Sequence, residues 1–332
     1  MDQFNVYKDM KARTNGEIYI GVVGPVRTGK STFIKRFMNL MVLPNIEDEN
    51  DRNRANDELP QSSSGKTIMT TEPKFVPNEA VSIKTEEGIE LNVRLIDCVG
   101  YMVEGATGHM EGEEERLVKT PWFDYEIPFT KAAAIGTKKV ITEHSTIGVV
   151  VTCDGSFGEI AAKQYEPAEE ETIKQLKALK KPFVVLLNTI HPYSESTKQL
   201  AAEKEEKYQT KVLPMNLEQM KKEDIYEIIK SVLMEFPISS IGFYVPRWTE
   251  MLKKDHPLKM ELLQMARDVI TEKTTMRDIY EEQEKEYEYI TGQKLESVAM
   301  DSGEVVITVK VGDVYYYEFL SETTGMEIRN EY

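Results

Sequence analysis

Short apolar runs alternate with amphipathic stretches along the first 238 residues. The apolar runs predict buried strands at 17–23, 146–152, 182–188 and 212–215. Apolar residues at three- and four-residue intervals predict helices from Lys30 to Leu40, over about 159–180, and at 196–208 and 217–236. Unbroken apolar strands separated by such helices are typical of a parallel sheet covered on both faces. Two alternating stretches, 80–85 and 89–97, add a predicted hairpin. We therefore predict an α/β domain with a mixed, mostly parallel sheet and helices on both faces.

The pattern changes after Pro237. Residues 240–246 resemble a strand, and about 247–288 are largely helical, with a break at His256-Pro257. The segments 305–311 and 314–320 predict an antiparallel pair across Gly312-Asp313. The prediction is a small α+β domain over 239–332, following a first domain over 1–238. We expect this second domain to be truncated at its C-terminal end.

A glycine-bounded loop joins the first predicted strand to a helix. Its sequence, Gly24-Pro-Val-Arg-Thr-Gly-Lys-Ser31, fits G-x-x-x-x-G-K-[ST]. In this motif backbone N–H groups surround a phosphate, the lysine reaches the outer phosphates and the hydroxyl ligates Mg²⁺. The two glycines permit positive φ and close approach to anionic oxygens, and the following helix directs its positive end at them. The sequence thus predicts a nucleoside triphosphate with Mg²⁺.

Two later segments resemble nucleotide-sensing loops. A polar stretch at 43–64, predicted to be a long loop, leads into Lys66-Thr-Ile-Met-Thr-Thr-Glu-Pro-Lys-Phe75. A threonine here can ligate Mg²⁺ and sense the γ-phosphate, and Thr70 and Thr71 are the candidates. The alternative is that these β-branched residues merely begin a strand.

The second segment, Asp97-Cys-Val-Gly100, ends a predicted strand. Its aspartate can hold Mg²⁺ through water, and its glycine can offer an N–H to the γ-phosphate. A turn-capping aspartate is the alternative. Residues 101–135 lack clear periodicity and are predicted to form a second specialised loop.

The expected base-binding position indicates ATP rather than GTP. Guanine-specific proteins of this fold carry Asn-Lys-x-Asp there, whereas this chain has Asn188-Thr-Ile-His191 and lacks the carboxylate that accepts the guanine hydrogen bonds. Tyr101 follows Gly100, where a water-orienting Gln or His is common, and a phenol is a poor base near neutral pH. We therefore expect slow ATP hydrolysis. The residues expected to contact the nucleotide are Gly24, Thr28, Gly29, Lys30, Ser31, Thr32, Gly100 and Asn188.

Composition limits the possible partners. The chain has 332 residues, 40% of them hydrophobic, and its 41 basic and 57 acidic residues give a net charge of −16. This charge argues against nucleic acid and against polybasic docking to a bilayer. No window approaches 18 uninterrupted apolar residues, so no transmembrane segment is predicted and a cytoplasmic protein is expected. Cys98 and Cys153 lie at the ends of predicted strands, which favours reduced core thiols.

Long strings of the sequence resemble the stage IV sporulation protein A family, the spore-coat morphogenetic ATPases of endospore-forming bacteria. They are the phosphate loop together with Asp57-Glu-Leu-Pro-Gln-Ser62, Gly65-Lys-Thr-Ile-Met-Thr-Thr-Glu-Pro-Lys-Phe-Val-Pro77, Asp97-Cys-Val-Gly-Tyr101 and Glu143-His-Ser-Thr-Ile-Gly-Val-Val150.

The resemblance implies a fold related to translation-factor GTPases but adapted to ATP. It implies that hydrolysis drives self-assembly of the basement layer of the spore coat on the outer forespore membrane, in the mother-cell cytoplasm. A small amphipathic membrane-anchoring peptide and other coat proteins are the implied partners. Lys30, Asp97, Thr70 and Thr71 match the family's catalytic positions, and the metal set is Ser31, Thr70, Thr71 and Asp97.

The resemblance also implies that the chain lacks the family's carboxy-terminal region, which is associated with polymer formation and with the anchoring peptide. Two alternatives stay open on the residues alone. One is a GTPase switch of the ribosome-factor class, and the other is a small-molecule kinase, for which no acceptor-binding pattern is visible.

Overall fold

The computed structural model describes residues 5–60, 72–84, 88–112, 114–158, 160–280 and 285–330. The chain forms two compact units, Met1–Glu235 and Phe236–Tyr332.

The first unit is an α/β fold. Its helices are α1 (Val6–Arg13), α2 (Lys30–Phe37), α3 (Glu49–Asp57), α4 (Phe129–Lys139), α5 (Ala162–Ala178), α6 (Glu195–Tyr208) and α7 (Lys222–Met234). Its strands are β1 (Glu17–Val23), β2 (Lys74–Lys84), β3 (Glu90–Asp97), β4 (Met110–Glu111), β5 (Glu114–Glu115), β6 (Leu117–Thr120), β7 (Phe123–Pro128), β8 (Ile147–Cys153), β9 (Phe183–Asn188) and β10 (Val212–Met215). Turns of π-helix extend α2 over Met38–Val42 and α4 over Val140–His144.

The main sheet has the order β10-β9-β8-β1-β3-β2. Neighbouring strands are parallel, except that β2 runs antiparallel to β3. Every residue of β8 and β9 is buried, as expected for central strands covered on both faces. The prediction of a mixed, mostly parallel sheet is therefore confirmed. The carboxyl ends of β1, β3, β8 and β9 share one edge, where ligands bind in such folds.

Two stretches predicted to be loops contain regular structure. Within 43–64, α3 forms because Asp48 accepts a hydrogen bond from the Asp51 N–H and caps the helix. Only Ala55 of α3 is buried, so the sequence of this helix has no apolar periodicity from which it could be predicted. Residues 101–135 form two small hairpins, β4–β5 and β6–β7, and the beginning of α4.

The second unit contains β11 (Ser240–Tyr244), α8 (Pro257–Glu272), β12 (Ile290–Ala299), β13 (Glu304–Val311) and α9 (Asp313–Thr324). Its sheet has the order β11-β13-β12, with β13 parallel to β11 and antiparallel to β12. The predicted strand at 314–320 is wrong, because this segment is α9. Helical spacing brings Tyr316 and Phe319 together against Trp248, each with a ring-centroid distance of 5.6 Å.

Within the described parts of the chain, no helix has both the length and the apolar character needed to cross a bilayer.

Candidate functional site

The loop between β1 and α2 depends on two glycines. Gly24 has φ +125° and Gly29 has φ +100°, both in the left-handed half of backbone space. A Cβ on Gly24 would lie 2.5 Å from the Val151 carbonyl oxygen, and one on Gly29 would lie 2.7 Å from Nδ2 of Asn188. Any larger residue would push the loop away from β8 and β9.

This loop presents a row of backbone donors. The N–H groups of Thr28, Gly29, Lys30 and Ser31 donate to no acceptor among the residues that the structure describes. They stand at the N-terminus of α2, where the helix dipole adds positive potential. Consecutive N–H groups arranged in this way bind anions, and phosphate groups above all.

Lys30 spans the loop. Its Nζ donates to the Pro25 carbonyl at 2.5 Å and reaches the Gly24 carbonyl at 3.5 Å, and the residue is only 5% exposed. Burial lowers the pKa of Lys30, while the neighbouring Cys98 and Asp97 oppose that shift. A triphosphate beside the amine would supply the negative charge that this buried cation needs.

Ser31 and Asp97 come together from α2 and β3. The Ser31 hydroxyl donates to Oδ2 of Asp97 at 2.8 Å. The other oxygen, Oδ1, is buried and has no hydrogen-bond partner among the described residues. Burial raises the pKa of Asp97, and the hydrogen bond from Ser31 opposes this.

This donor set fits Mg²⁺, which prefers hydroxyl and carboxylate oxygens and takes few protein ligands beside the substrate phosphates. No group of three or more acidic, His or Cys side chains suited to a metal occurs within the described ranges. The Ser31 hydroxyl and the Asp97 carboxylate are the groups that would hold the ion, together with a bound triphosphate.

The segment after β3 is joined to the loop. The Tyr101 N–H donates to the Gly24 carbonyl at 3.2 Å, and the Val26 N–H donates to the Tyr101 carbonyl at 2.9 Å. Gly100 has φ +94°, and a Cβ there would lie 2.2 Å from the Gly24 carbonyl oxygen and 2.6 Å from the Lys30 amine. Only glycine fits this approach.

The side chain of Tyr101 extends towards α5. Its ring packs against an apolar cluster that includes Val26, Cys153 and Tyr165, and its hydroxyl faces Gln175 of α5. Burial raises the pKa of Tyr101 to about 12. The phenol is therefore a structural group in this conformation.

Asn188 lies beneath the loop. Its Nδ2 donates to the Thr28 carbonyl at 3.0 Å, and its Oδ1 accepts from the Leu217 N–H at 3.3 Å. Both ends of the amide are therefore engaged within the protein, and the side chain positions the loop. The Thr28 hydroxyl also turns inward and donates to the Pro25 carbonyl at 3.0 Å.

The remaining predicted residues have different outcomes. Thr32 lies in the first turn of α2 and is half-buried. Thr70 and Thr71 lie outside the described residues.

Sequence reasoning did not single out Arg27 or Thr107, whose side chains meet beside the loop: Nη2 of Arg27 donates to the Thr107 hydroxyl at 3.2 Å. The sequence feature that could have drawn attention to Arg27 is its positive charge inside the phosphate-loop motif.

Side-chain contacts hold the hairpins at 110–128 against α4. Glu115 accepts hydrogen bonds from the N–H and hydroxyl of Thr130, at the start of that helix, and these bonds lower the pKa of Glu115. The Arg116 guanidinium lies 4.4 Å from the centre of the Phe129 ring. The segment after Gly100 is thus an ordered insertion between β3 and α4.

The sheet order, the glycine loop and the Ser31–Asp97 pair define a phosphate-loop nucleoside-triphosphatase fold. Residues 1–237 match the family described as "Stage IV sporulation protein A, ATPase domain", and residues 238–332 match its "middle domain". The chain belongs to the stage IV sporulation protein A family. The interpretation as a sporulation ATPase of this family is confirmed.

Three relatives named Stage IV sporulation protein A show how far the likeness extends. The Bacillus anthracis protein is 46% identical over 333 residues, covering 100% of this chain and 68% of the relative. The Clostridioides difficile (strain 630) protein is 48% identical, covering 99% and 67%. The Bacillus subtilis (strain 168) protein is 45% identical, also covering 99% and 67%. The chain therefore spans about two thirds of the length of these relatives.

A solved structure titled "crystal structure of SsGBP and GDP complex" is similar at a TM-score of 0.37 and 13% identity. The match covers 66% of this chain and 49% of that one.

Proposed function

We propose that this protein binds ATP with Mg²⁺ at the loop of residues 24–31 and hydrolyses it slowly. The observation that carries the proposal is the row of N–H donors at Thr28–Ser31, beside the buried amine of Lys30 and the buried Oδ1 of Asp97, which accepts no hydrogen bond from the residues that the structure describes. Together they form a site for a polyphosphate and a hard divalent cation.

In this proposal each group has one task. The N–H groups and Lys30 hold the β- and γ-phosphates, and Ser31 and Asp97 hold the ion. Bound there, Mg²⁺ would neutralise charge that develops on the phosphoryl oxygens. Gly100 allows the chain after β3 to approach the γ-phosphate. Slow turnover follows because the Tyr101 hydroxyl faces α5 and does not orient a water molecule at the phosphate.

ATP is proposed over GTP because His191 stands where a guanine-reading carboxylate would be, and Asn188 is engaged with the loop. The ATPase-domain family supports the same choice.

We further propose, from family membership, that the nucleotide cycle controls self-association in the basement layer of the spore coat. The location would be the outer forespore membrane surface, facing the mother-cell cytoplasm. A small amphipathic membrane-anchoring peptide and other coat proteins would be partners. The boundary between the ATPase domain and the second domain would lie near residues 238–239. A fold related to translation-factor GTPases is part of the same proposal.

Phosphate release from ATP and from GTP tests the enzymatic proposal, with and without Mg²⁺. Lys30→Ala and Asp97→Asn should each reduce ATP turnover by about 10²-fold or more, since each removes a charge at the reacting phosphates. Thr70→Ala combined with Thr71→Ala should bind ATP without hydrolysing it. Wild-type turnover in both single variants would show that the site is elsewhere, and equal use of GTP would contradict the ATP assignment. Sedimentation before and after turnover tests self-association.

A further inference from the structure

The strand β12 forms one edge of the sheet in the second unit. It pairs with β13 on one side, and Ile290 is its only buried residue. Apart from that pairing, no backbone group of residues 290–298 is hydrogen-bonded to another described part of the chain. A strand edge of this kind offers a row of N–H and C=O groups to a further strand. Charged side chains on an edge oppose such pairing unless the incoming strand carries the opposite charges at the facing positions.

Two opposite charges lie near the centre of this edge. Lys294 is exposed and stands opposite Thr308 of β13, and the carboxylate of the exposed Glu296 accepts from the Thr308 hydroxyl at 3.3 Å. Both side chains therefore lie on the same face of the sheet. Neither forms an ion pair with a residue that the structure describes. An irregularity of the register between Leu295 and Ser297 leaves Glu296 without an opposite residue on β13.

The sequence around Leu295 is complementary to itself in the antiparallel direction. When Leu295 lies opposite Leu295 of a second copy, Lys294 faces Glu296 of that copy and Glu296 faces its Lys294. Directly opposed unlike charges stabilise an antiparallel pair, and like charges destabilise it. A shift of the register by two residues in either direction places Lys294 against Lys294 or Glu296 against Glu296. The charges therefore favour one register about a two-fold axis.

Leu295 adds an apolar contact at this axis. It lies opposite Ile307 of β13, whose side chain is buried, but is itself 36% exposed. Because residues directly opposite each other share a face, Leu295 belongs to the buried face of the sheet. Two copies of Leu295 would cover each other there, and the two pairs of unlike charges would lie on the other face. A second copy of the same strand thus matches this edge on both faces.

We propose that β12 is a docking edge for β12 of a second copy of this chain. The two strands would pair antiparallel about Leu295 and join two three-stranded sheets into one sheet of six strands. Such an isologous contact closes after two copies, so it forms a dimer and not a filament. The pairing requires no nucleotide. It deepens the proposed self-association and rests on that proposal only for its role in assembly.

The test is sedimentation equilibrium of the intact chain without nucleotide, at concentrations up to about 0.5 mM because small interfaces give weak dimers. Wild type should dimerise. Lys294→Glu and Glu296→Lys should each raise the dimer Kd about 10-fold or more, since each places two pairs of like charges in contact. The double variant, and an equimolar mixture of the two single variants, restore both unlike pairs and should dimerise within about 3-fold of wild type.

Lys310→Glu is the matched control. Lys310 is exposed and lies two residues from Thr308, so it shares the face of Lys294 but belongs to the central strand β13. Its reversal should change the dimer Kd less than about 2-fold, because exposed charges away from the contact are screened by salt.

Disulfide formation tests the register. In a background of Cys98→Ser with Cys153→Ser, Leu295→Cys should cross-link two copies, because directly opposed Cβ atoms lie about 5 Å apart. Gln293→Cys should not, since its two copies would lie about 14 Å apart along the strands.

The inference is overturned if wild type stays monomeric, if Lys294→Glu dimerises like wild type, or if cross-links form at position 293 and not at 295. These outcomes leave the proposed ATP site untouched. Conversely, a wild-type dimer that does not change during ATP turnover would contradict nucleotide-controlled self-association and leave this contact standing.

Discussion

Asn188 connects the end of β9 to the phosphate loop, and its loss should affect both stability and binding. Asn188→Ala leaves the buried Thr28 carbonyl and the Leu217 N–H without their partner, at a cost of about 1–3 kcal/mol in the free energy of unfolding. ATP should bind more weakly, because the loop is then less well fixed. Thermal unfolding and ATP titration measure the two effects.

Asn188→Asp separates the two contacts, since it keeps an acceptor for Leu217 and removes the donor to Thr28. It should lose affinity for ATP as the alanine variant does. Unchanged melting and unchanged affinity in Asn188→Ala would show that the amide does not position the loop.

Cys98 should be inert in the folded protein despite its place between Asp97 and Gly100. Burial raises the pKa of its thiol to about 11, and Lys30 opposes the shift only in part. At pH 8 the reactive thiolate is then about 100-fold scarcer than in an unfolded chain, where the thiol has an ordinary pKa. The variants Cys98→Ser and Cys153→Ser each retain one cysteine. Alkylation of that cysteine should therefore be slow at pH 8 and fast in denaturant. Rapid native labelling of the variant that retains Cys98 would contradict this.

At the scale of elements, a buried ion pair joins two helices to the sheet. Glu169 of α5 is fully buried, and its Oε1 lies 2.7 Å from Nζ of Lys204 on α6. Its Oε2 accepts from the Thr152 hydroxyl of β8 at 2.5 Å. Lys204→Met leaves the carboxylate buried without its cation, and we expect a loss of about 3–5 kcal/mol in the free energy of unfolding, measured in urea.

The chain offers a matched control for this pair one turn further along α6. Lys207 lies 2.6 Å from Glu170, but both side chains are about half exposed, at 46% and 52%. Lys207→Met should therefore cost less than about 1 kcal/mol. Equal costs for the two substitutions would show that burial of Glu169 does not determine the strength of the first pair.

The elements that could be predicted from sequence are those whose apolar pattern is set locally. β8, β9 and β10 were predicted within one residue at each end, because unbroken apolar runs mark central parallel strands. α9 was missed, since Tyr315, Tyr316 and Tyr317 favour strands by propensity and its contact with Trp248 comes from far along the chain. β12 was also missed, because most of its residues are at least partly exposed.

In the candidate site, too, residues that belong to a local motif could be predicted, whereas contacts between distant residues could not. The glycines and Lys30 of the loop follow from the motif, and the structure brings Ser31 and Asp97 together. The Arg27–Thr107 contact joins residues 80 positions apart, across an insertion with no periodicity, so it could not be predicted. The internal role of Asn188 likewise depends on the register of β9 against β10.

At the scale of the whole molecule, the two compact units each have a buried core, so we expect two unfolding transitions. Only the first unit carries the proposed ATP site. A non-hydrolysable ATP analogue at 100 times its Kd should stabilise that unit by about 2.7 kcal/mol. Its melting temperature should rise by about 5–10 °C, and that of Phe236–Tyr332 should not change.

The two tryptophans allow the units to be followed separately in the intact chain, because Trp122 lies in the first and Trp248 in the second. Fluorescence of Trp248→Phe reports the first unit, and that of Trp122→Phe reports the second. Adding Lys30→Ala to Trp248→Phe should remove the shift caused by the analogue. If both tryptophans report one transition that the analogue moves as a whole, the units unfold together, and ATP binding in the first unit stabilises the second as well.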